Sequence, residues 1–221
     1  MKYYSIGITE DLNLIGSYPQ IEKEDDYNLS LSNSYWNVTW ERSPDFIPNY
    51  KIRINDKAKI TNLLSNLSGF YGLTVDENLK NLLLKFNLPQ HQFYPINVRY
   101  LNKYLNYFWF HFINSLLNYV DFQNSIFELF KKSPYKILEE LVFSSLIELQ
   151  NKVKGLGFEY SIRLKNLKLN DNFPQYDVIS LWGITPLILV SENLKMELEK
   201  SDLNGFVFNE YKPLICSRII H

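Results

Sequence analysis

A single cysteine, Cys216, leaves the chain no internal disulfide, which sets aside the small disulfide-stapled folds. Glycine is scarce, at 8 residues, and no spacing of them fits a phosphate-cradling loop. Gly69-Phe70-Tyr71-Gly72 and Gly155-Leu156-Gly157 lack the further glycine and the Lys-Ser/Thr pair that such loops need. The three histidines, His91, His111 and His221, stand far apart, none with a ligand-type residue one helical turn away. No metal site and no cofactor are expected. Neither sign of charge is in excess: 23 Lys and Arg face 24 Asp and Glu, a formal net charge of -1. That balance sets aside partners recognised through bulk charge, whether nucleic acid or a membrane surface. Long apolar runs are missing too. The most apolar stretch, residues 104–117, is interrupted by Asn106, His111, Asn114 and Ser115 and falls short of the roughly 20 residues of a bilayer span. The opening residues, Met1 to Gly7, show no apolar segment with a small-residue cleavage site, so the expected location is the reducing cytoplasm. Asn37-Val38-Thr39 has the glycosylation spelling and reads as a chance match in that setting.

What is present is the balance of a folded globular chain: of 221 residues, 46% are hydrophobic and 21% charged. Asn, Lys, Ile, Leu, Tyr and Phe abound while alanine occurs only at Ala58, the bias an AT-rich coding sequence imposes. That bias accounts for the 16% aromatic content without a stacking surface for bases or sugars, and the rings are expected in the core and at its rim.

Residues 2–8 are rich in strand formers and predict an opening strand. From Gly16 to Asn55, three prolines and the run Glu22-Lys23-Glu24-Asp25-Asp26 disfavour long elements, leaving room for a short strand at residues 35–40. Ile60, Leu63, Leu64 and Leu67 behind Asp56 predict a helix over residues 57–67. Asp76 as N-cap and the stripe Leu79, Leu82, Leu83 and Phe86 predict a second over 77–86, stopped before Asn87-Leu88-Pro89. Strands are predicted over 92–100, with Pro95 at an edge or bulge, and over 107–113, buried on both faces. Short strands at 119–122 and 125–130 flank a turn at Gln123-Asn124. Ile137, Leu138, Leu141, Val142, Leu146 and Leu149 recur at helical spacing and predict a helix over 135–153, ended by Gly155 and Gly157. Alternation of period two predicts strands at 158–164 and 176–182.

A repeat organises these elements. Val75-Asp76-Glu77-Asn78-Leu79-Lys80 recurs as Val190-Ser191-Glu192-Asn193-Leu194-Lys195, and the match continues with Leu83 and Leu198, Lys85 and Lys200, Leu88 and Leu203. Each copy has an apolar run, an N-cap, a helix of about ten residues and an aromatic strand. The fold class is therefore α+β: mixed, mainly antiparallel sheet with short amphipathic helices and two related β-helix-β units. The chain reads as one domain over 1–221, with 1–100 and 101–221 as its internal halves.

Candidates for chemistry are few. His111, Asp121 and Ser125 lie within one segment and would suit a hydrolase or nucleotide-modifying enzyme if they converged on a pocket. Outside a pocket, His111 in an apolar strand reads as a hydrogen-bonded core histidine. Adjacent carboxylates such as Glu139-Glu140 point apart on a helix and read as solvated. Cys216 reads as an inert core thiol and His221 as a loose terminus.

Several segments together resemble immunity protein family eleven of bacterial polymorphic-toxin systems. They are Phe110-His111-Phe112-Ile113, residues 119–127, Tyr176-Asp177-Val178-Ile179, and the close from Leu189-Val190-Ser191-Glu192-Asn193-Leu194-Lys195 to Leu203-Asn204-Gly205-Phe206-Val207-Phe208. The last is the most diagnostic: an apolar strand, a Val-Ser-Glu helix start, a short amphipathic helix and a Gly-aromatic strand. The resemblance spans about residues 69–211. It implies a small cytoplasmic protein, made beside a toxin, that neutralises its cognate toxin domain by binding and not by turnover. The Pro-punctuated segment before it supplies candidate toxin-binding anchors in Tyr35, Trp36 and Trp40, with a charged rim from Glu24, Asp25 and Asp26.

Overall fold

Neighbouring residues of a strand point to opposite faces, so an apolar run such as Tyr107 to Phe112, broken only by His111, needs cover on both sides. The computed structural model supplies that cover by stacking sheets. It describes residues 2–113, 116–182 and 185–215, so the readings of Cys216 and His221 fall outside the described residues. In chain order the elements are β1 (Tyr3–Ile8), α1 (Leu12–Ile15), β2 (Ile21–Lys23), β3 (Ile52–Ile54), β4 (Leu63–Leu64), β5 (Leu73–Val75), α2 (Glu77–Leu83), β6 (His91–Tyr100) and β7 (Lys103–Phe112). They continue with β8 (Ile126–Lys131), β9 (Lys136–Leu141), α3 (Leu146–Lys154), β10 (Tyr160–Lys168), β11 (Val178–Ser180), β12 (Ile188–Ser191), α4 (Glu192–Lys200), β13 (Phe206–Glu210) and β14 (Leu214–Ile215).

The strands form three sheets, ordered β2-β3-β6-β7-β5-β4, β11-β12-β1-β13 and β14-β10-β8-β9. Pairing is antiparallel except at β3–β6 and β10–β14. The α+β class read from the sequence is the one observed. In the six-stranded sheet, Trp109 and Tyr107 join one core with Ile52, Val98 and Tyr50, while Phe110 and Phe112 join a second. The first four-stranded sheet shares that second core through Ile6, Val178 and Val190. It turns Tyr3, Ile179 and Leu189 toward a third core, closed by Phe127, Ile162 and Leu164 of the last sheet. Pro95 is tolerated in β6 because β3 reaches only Val98 and Arg99, leaving that edge of the strand without a ladder at Pro95.

The repeat is realised twice. In the first unit the hairpin β4–β5 leads through N-cap Asp76 into α2, and in the second β11–β12 leads through N-cap Ser191 into α4. Asp76 Oδ1 accepts from Leu79 N at 2.9 Å and Ser191 Oγ from Leu194 N at 3.2 Å, each bond stabilising its helix by about 1 kcal/mol. Leu79, Leu83, Leu194 and Leu198 all enter the second core, so the two units pack against one another. The sheet orders match as β4-β5-β7-β6 and β11-β12-β1-β13, which makes β1 the counterpart of β7. Side chains agree as well: Lys80 Nζ lies 3.7 Å from the Phe108 ring centre, and its counterpart Lys195 lies 5.0 Å from that of Tyr4. The units also dock reciprocally. Asn62, at the start of one hairpin, accepts from Asn204 N at 2.8 Å, and Asp177, at the start of the other, accepts from Asn87 N at 2.9 Å. The related units thus occupy residues 62–112 and 177–210 with 3–8. Residue 100, the boundary the repeat suggested, closes a hairpin whose strands pair over their full length.

Four predicted elements differ. The helix expected over 57–67 is absent, because Leu63 and Leu64 face opposite cores from β4. Residues 35–40 hold a 3₁₀ turn at Tyr35–Asn37, and residues 119–122 likewise fold as 3₁₀ turns, Leu116–Tyr119 and Phe122–Asn124, where short strands were expected. The helix over 135–153 begins only at α3: residues 136–141 pair with β8 as an edge strand, and Ser145 is the true N-cap, accepting from Glu148 N at 3.3 Å. Glu148 reaches back to the Ser144 N–H at 2.7 Å, a reciprocal cap that fixes the helix start. Its carboxyl is held below the usual range by those Ser144 bonds.

Candidate functional site

The segment after β2 folds around an aromatic stack. Tyr27 and Tyr35 lie face to face at 5.9 Å, and Tyr35 meets Tyr50 edge-on at 5.1 Å, with its hydroxyl donating to Ser68 O. Tyr35 is therefore a core residue, and the reading of it as a toxin-binding anchor is corrected: its ring is already spent on intramolecular packing. Burial pushes its hydroxyl above the ordinary tyrosine range. Trp36 differs. Ser34 caps the 3₁₀ turn by accepting from Trp36 N at 3.2 Å, and the indole lies against Gly69, where a Cβ would stand 2.4 Å from Cζ3. Gly69 thus provides a flat seat at φ +74°, and the other face of the indole stays open, with the residue 56% exposed.

Trp40 is half-buried and borders both the second and third cores. It lines an open groove of about 330 Å³ together with Leu117, Leu146, Leu149 and Ile162. The acidic run is largely engaged within the chain. Glu22 pairs with Arg53 at 2.7 Å, Glu24 with Arg99 at 3.5 Å and Asp26 with Lys51 at 3.0 Å. Lys51 lowers the Asp26 carboxyl through its hydrogen bond and its charge. Asp25 is exposed at the turn between them. Glu24 is buried, so of the expected rim it is Asp25 and Asp26 that face solvent.

His111 is fully buried in β7. Its Nε2 donates to Thr39 O at 2.8 Å, which leaves Nδ1 as a bare acceptor with no partner among the described residues. The rings of Tyr71, Tyr94 and Trp109 surround it. Desolvation lowers its pKa, opposed in part by the Thr39 bond, so the imidazole is neutral at pH 7. Asp121 caps a turn by accepting from Asn124 N, and Ser125 Oγ donates to Asp121 O at 2.7 Å while accepting from Lys168 N at 3.0 Å. His111 shares no hydrogen bond with Asp121 or Ser125, which serve to fasten the 121–125 turn to β10.

Two features escaped the sequence reading. Phe158, assigned to a half-buried strand, is 99% exposed before β10 begins. The groove beneath Trp40 joins residues far apart in sequence, and no local pattern announces it. Among the described residues no three His, Cys, Asp or Glu side chains gather as a metal site, and no helix is long and apolar enough to cross a membrane. Against known proteins, the chain matches no protein-family model and no curated protein.

Proposed function

We propose that this chain is a cytoplasmic immunity protein, which binds a cognate toxin domain and occludes it without catalysing a reaction. The observation that carries the reading is Trp36. A large amphipathic ring, open to solvent on one face and held on the other by Gly69 and a capped turn, loses little freedom on binding. Such pre-organised aromatic side chains are the residues that dominate protein interfaces. Asp25 and Asp26 lie in the same Pro-punctuated segment and supply a polar rim. The resemblance of residues 69–211 to immunity protein family eleven supports the same reading.

The test is co-expression with the product of the neighbouring toxin gene, read as complex formation and rescue of growth. Trp36→Ala, which removes a largely exposed ring that meets the core edge-on at Tyr35, is expected to weaken the complex by at least about 30-fold, the 2 kcal/mol of an interface hot spot. Unchanged affinity in a folded variant removes Trp36 from the interface, and absence of both complex and rescue removes the immunity reading.

A further inference from the structure

Helix α3 lies on the last sheet by a narrow base, with Leu149 its only buried side chain. Leu146, Leu149 and Val153, spaced to share one helix face, form the wall of the Trp40 groove. Val153 and Ser161 also line an adjoining depression of about 260 Å³ whose far side is Leu156, Phe158 and Tyr160. The two depressions share Val153 and Ser161 and therefore make one continuous, mainly apolar trough ending at the solvent-exposed ring of Phe158. Its border carries cations only: Lys154 on the groove and Lys132 on the depression, with no carboxylate lining either. Neither lysine has an ion-pair partner among the described residues, whereas the next residue to Lys132, Lys131, is matched by Glu159 at 3.6 Å.

An apolar floor favours a partner that brings apolar surface, and an unmatched lysine border selects the charge that flanks it. Lysine stems extend the apolar wall while their ammonium groups stay in water, so a basic segment is repelled along this border. We propose that this trough is a docking surface for a polypeptide segment that carries one or two large apolar side chains flanked by carboxylates. The proposal rests on the reading of the chain as a binding protein, but it does not require the partner to be a toxin.

The test uses the full chain and two synthetic peptides, each with two central tryptophans, one flanked on both sides by glutamates and the other by lysines. Binding is followed by the indole N–H resonance of Trp40, assigned through its loss in Trp40→Phe. The glutamate peptide is expected to bind at least about tenfold more tightly than the lysine peptide, less so at high salt. Val153→Asp should abolish that binding, and K132E with K154E should reverse the preference; all three positions lie at the surface, and an unchanged melting curve verifies the fold. Equal affinity for the two peptides overturns the proposal, as does binding of neither at millimolar concentration. Adsorption to phosphatidylglycerol vesicles without peptide binding also overturns it. Because neither peptide is the toxin, failure here leaves Trp36-dependent neutralisation standing, and failure of neutralisation leaves the peptide result standing.

Discussion

Exchanging the two helix caps between the repeated units tests whether the units are equivalent in energy as well as in shape. Ser191 is buried, and its hydroxyl does two jobs, accepting from Leu194 N and donating to Asp177 Oδ1. Ser191→Ala removes a cap worth about 1 kcal/mol and a hydrogen bond to a charged group worth about 1.5–3 kcal/mol, a loss of about 2.5–4 kcal/mol. Ser191→Asp, the residue the first unit uses, keeps the cap but sets a second carboxylate against Asp177. Two like charges about 4 Å apart at an effective dielectric of about 20 repel by about 4 kcal/mol, in addition to the lost donor. The reverse exchange, Asp76→Ser, retains an acceptor for Leu79 N and gives up only the 2.7 Å bond from Asn62 Nδ2, whose half-exposed donor can turn to water. That change should cost no more than about 1 kcal/mol. Urea unfolding at pH 7 is then expected to rank Asp76→Ser well above Ser191→Ala, and Ser191→Asp lowest. In Ser191→Asp the mutual repulsion raises the pKa of the folded carboxylate pair above its unfolded value. The excess cost is therefore present at pH 7 and shrinks as pH falls through that raised value. Ser191→Asp matching Ser191→Ala at pH 7, or a deficit that does not shrink by pH 4, refutes the reasoning.

Gly205, at φ +97°, would place a Cβ 2.2 Å from Leu63 O, so Gly205→Ala should unfold the protein or cost more than about 4 kcal/mol. Gly157→Ala, with nothing within 4 Å, should be neutral or stabilising by up to about 1 kcal/mol; thermal melts compare the two. Leu79→Ala and Leu194→Ala should each cost about 2–5 kcal/mol, and because both line one core their double variant should depart from additivity by about 0.5 kcal/mol or more in urea unfolding. For His111 burial holds the folded pKa below the ordinary histidine value of about 6.5, so the unfolded chain binds the extra proton. Stability is complete above that ordinary value and declines as pH falls beneath it, by up to about 1.4 kcal/mol per pH unit; His111→Gln should flatten the slope between pH 7 and 5.

The first cap and its helix were legible because Asp76 and the Leu79, Leu83 stripe are local signals, complete within one short segment. The pair Leu63-Leu64 was not, because two adjacent leucines suit a helix and a doubly buried strand equally well, and the choice is made by β5 and by two cores. The same holds for β9, whose apolar spacing mimics a helix until β8 pairs with it, although Ser145 and Glu148 already spelled the start of α3. At the site, the Tyr35-Trp36 pair shows the limit: which of two neighbouring rings faces water is set by Tyr27, Tyr50 and Gly69. The lysine-bordered trough was out of reach for a related reason, being built from Trp40, Leu117, Lys132 and the 146–162 segment.

The place of β1 has a consequence for how the chain assembles. Ser5 donates to Asn209 O across 204 positions of sequence, and β1 is flanked on both sides by strands that follow it by nearly the whole chain. The first unit can close within some fifty consecutive residues, but the second stays open until β12 and β13 have been made. During synthesis β1 therefore waits as an unpaired strand with both edges bare, and the ribosome must add about 200 further residues before that sheet can form. A circular permutant that carries β1 behind β13 would shorten that wait, and folding from urea should be faster for it than for the natural order.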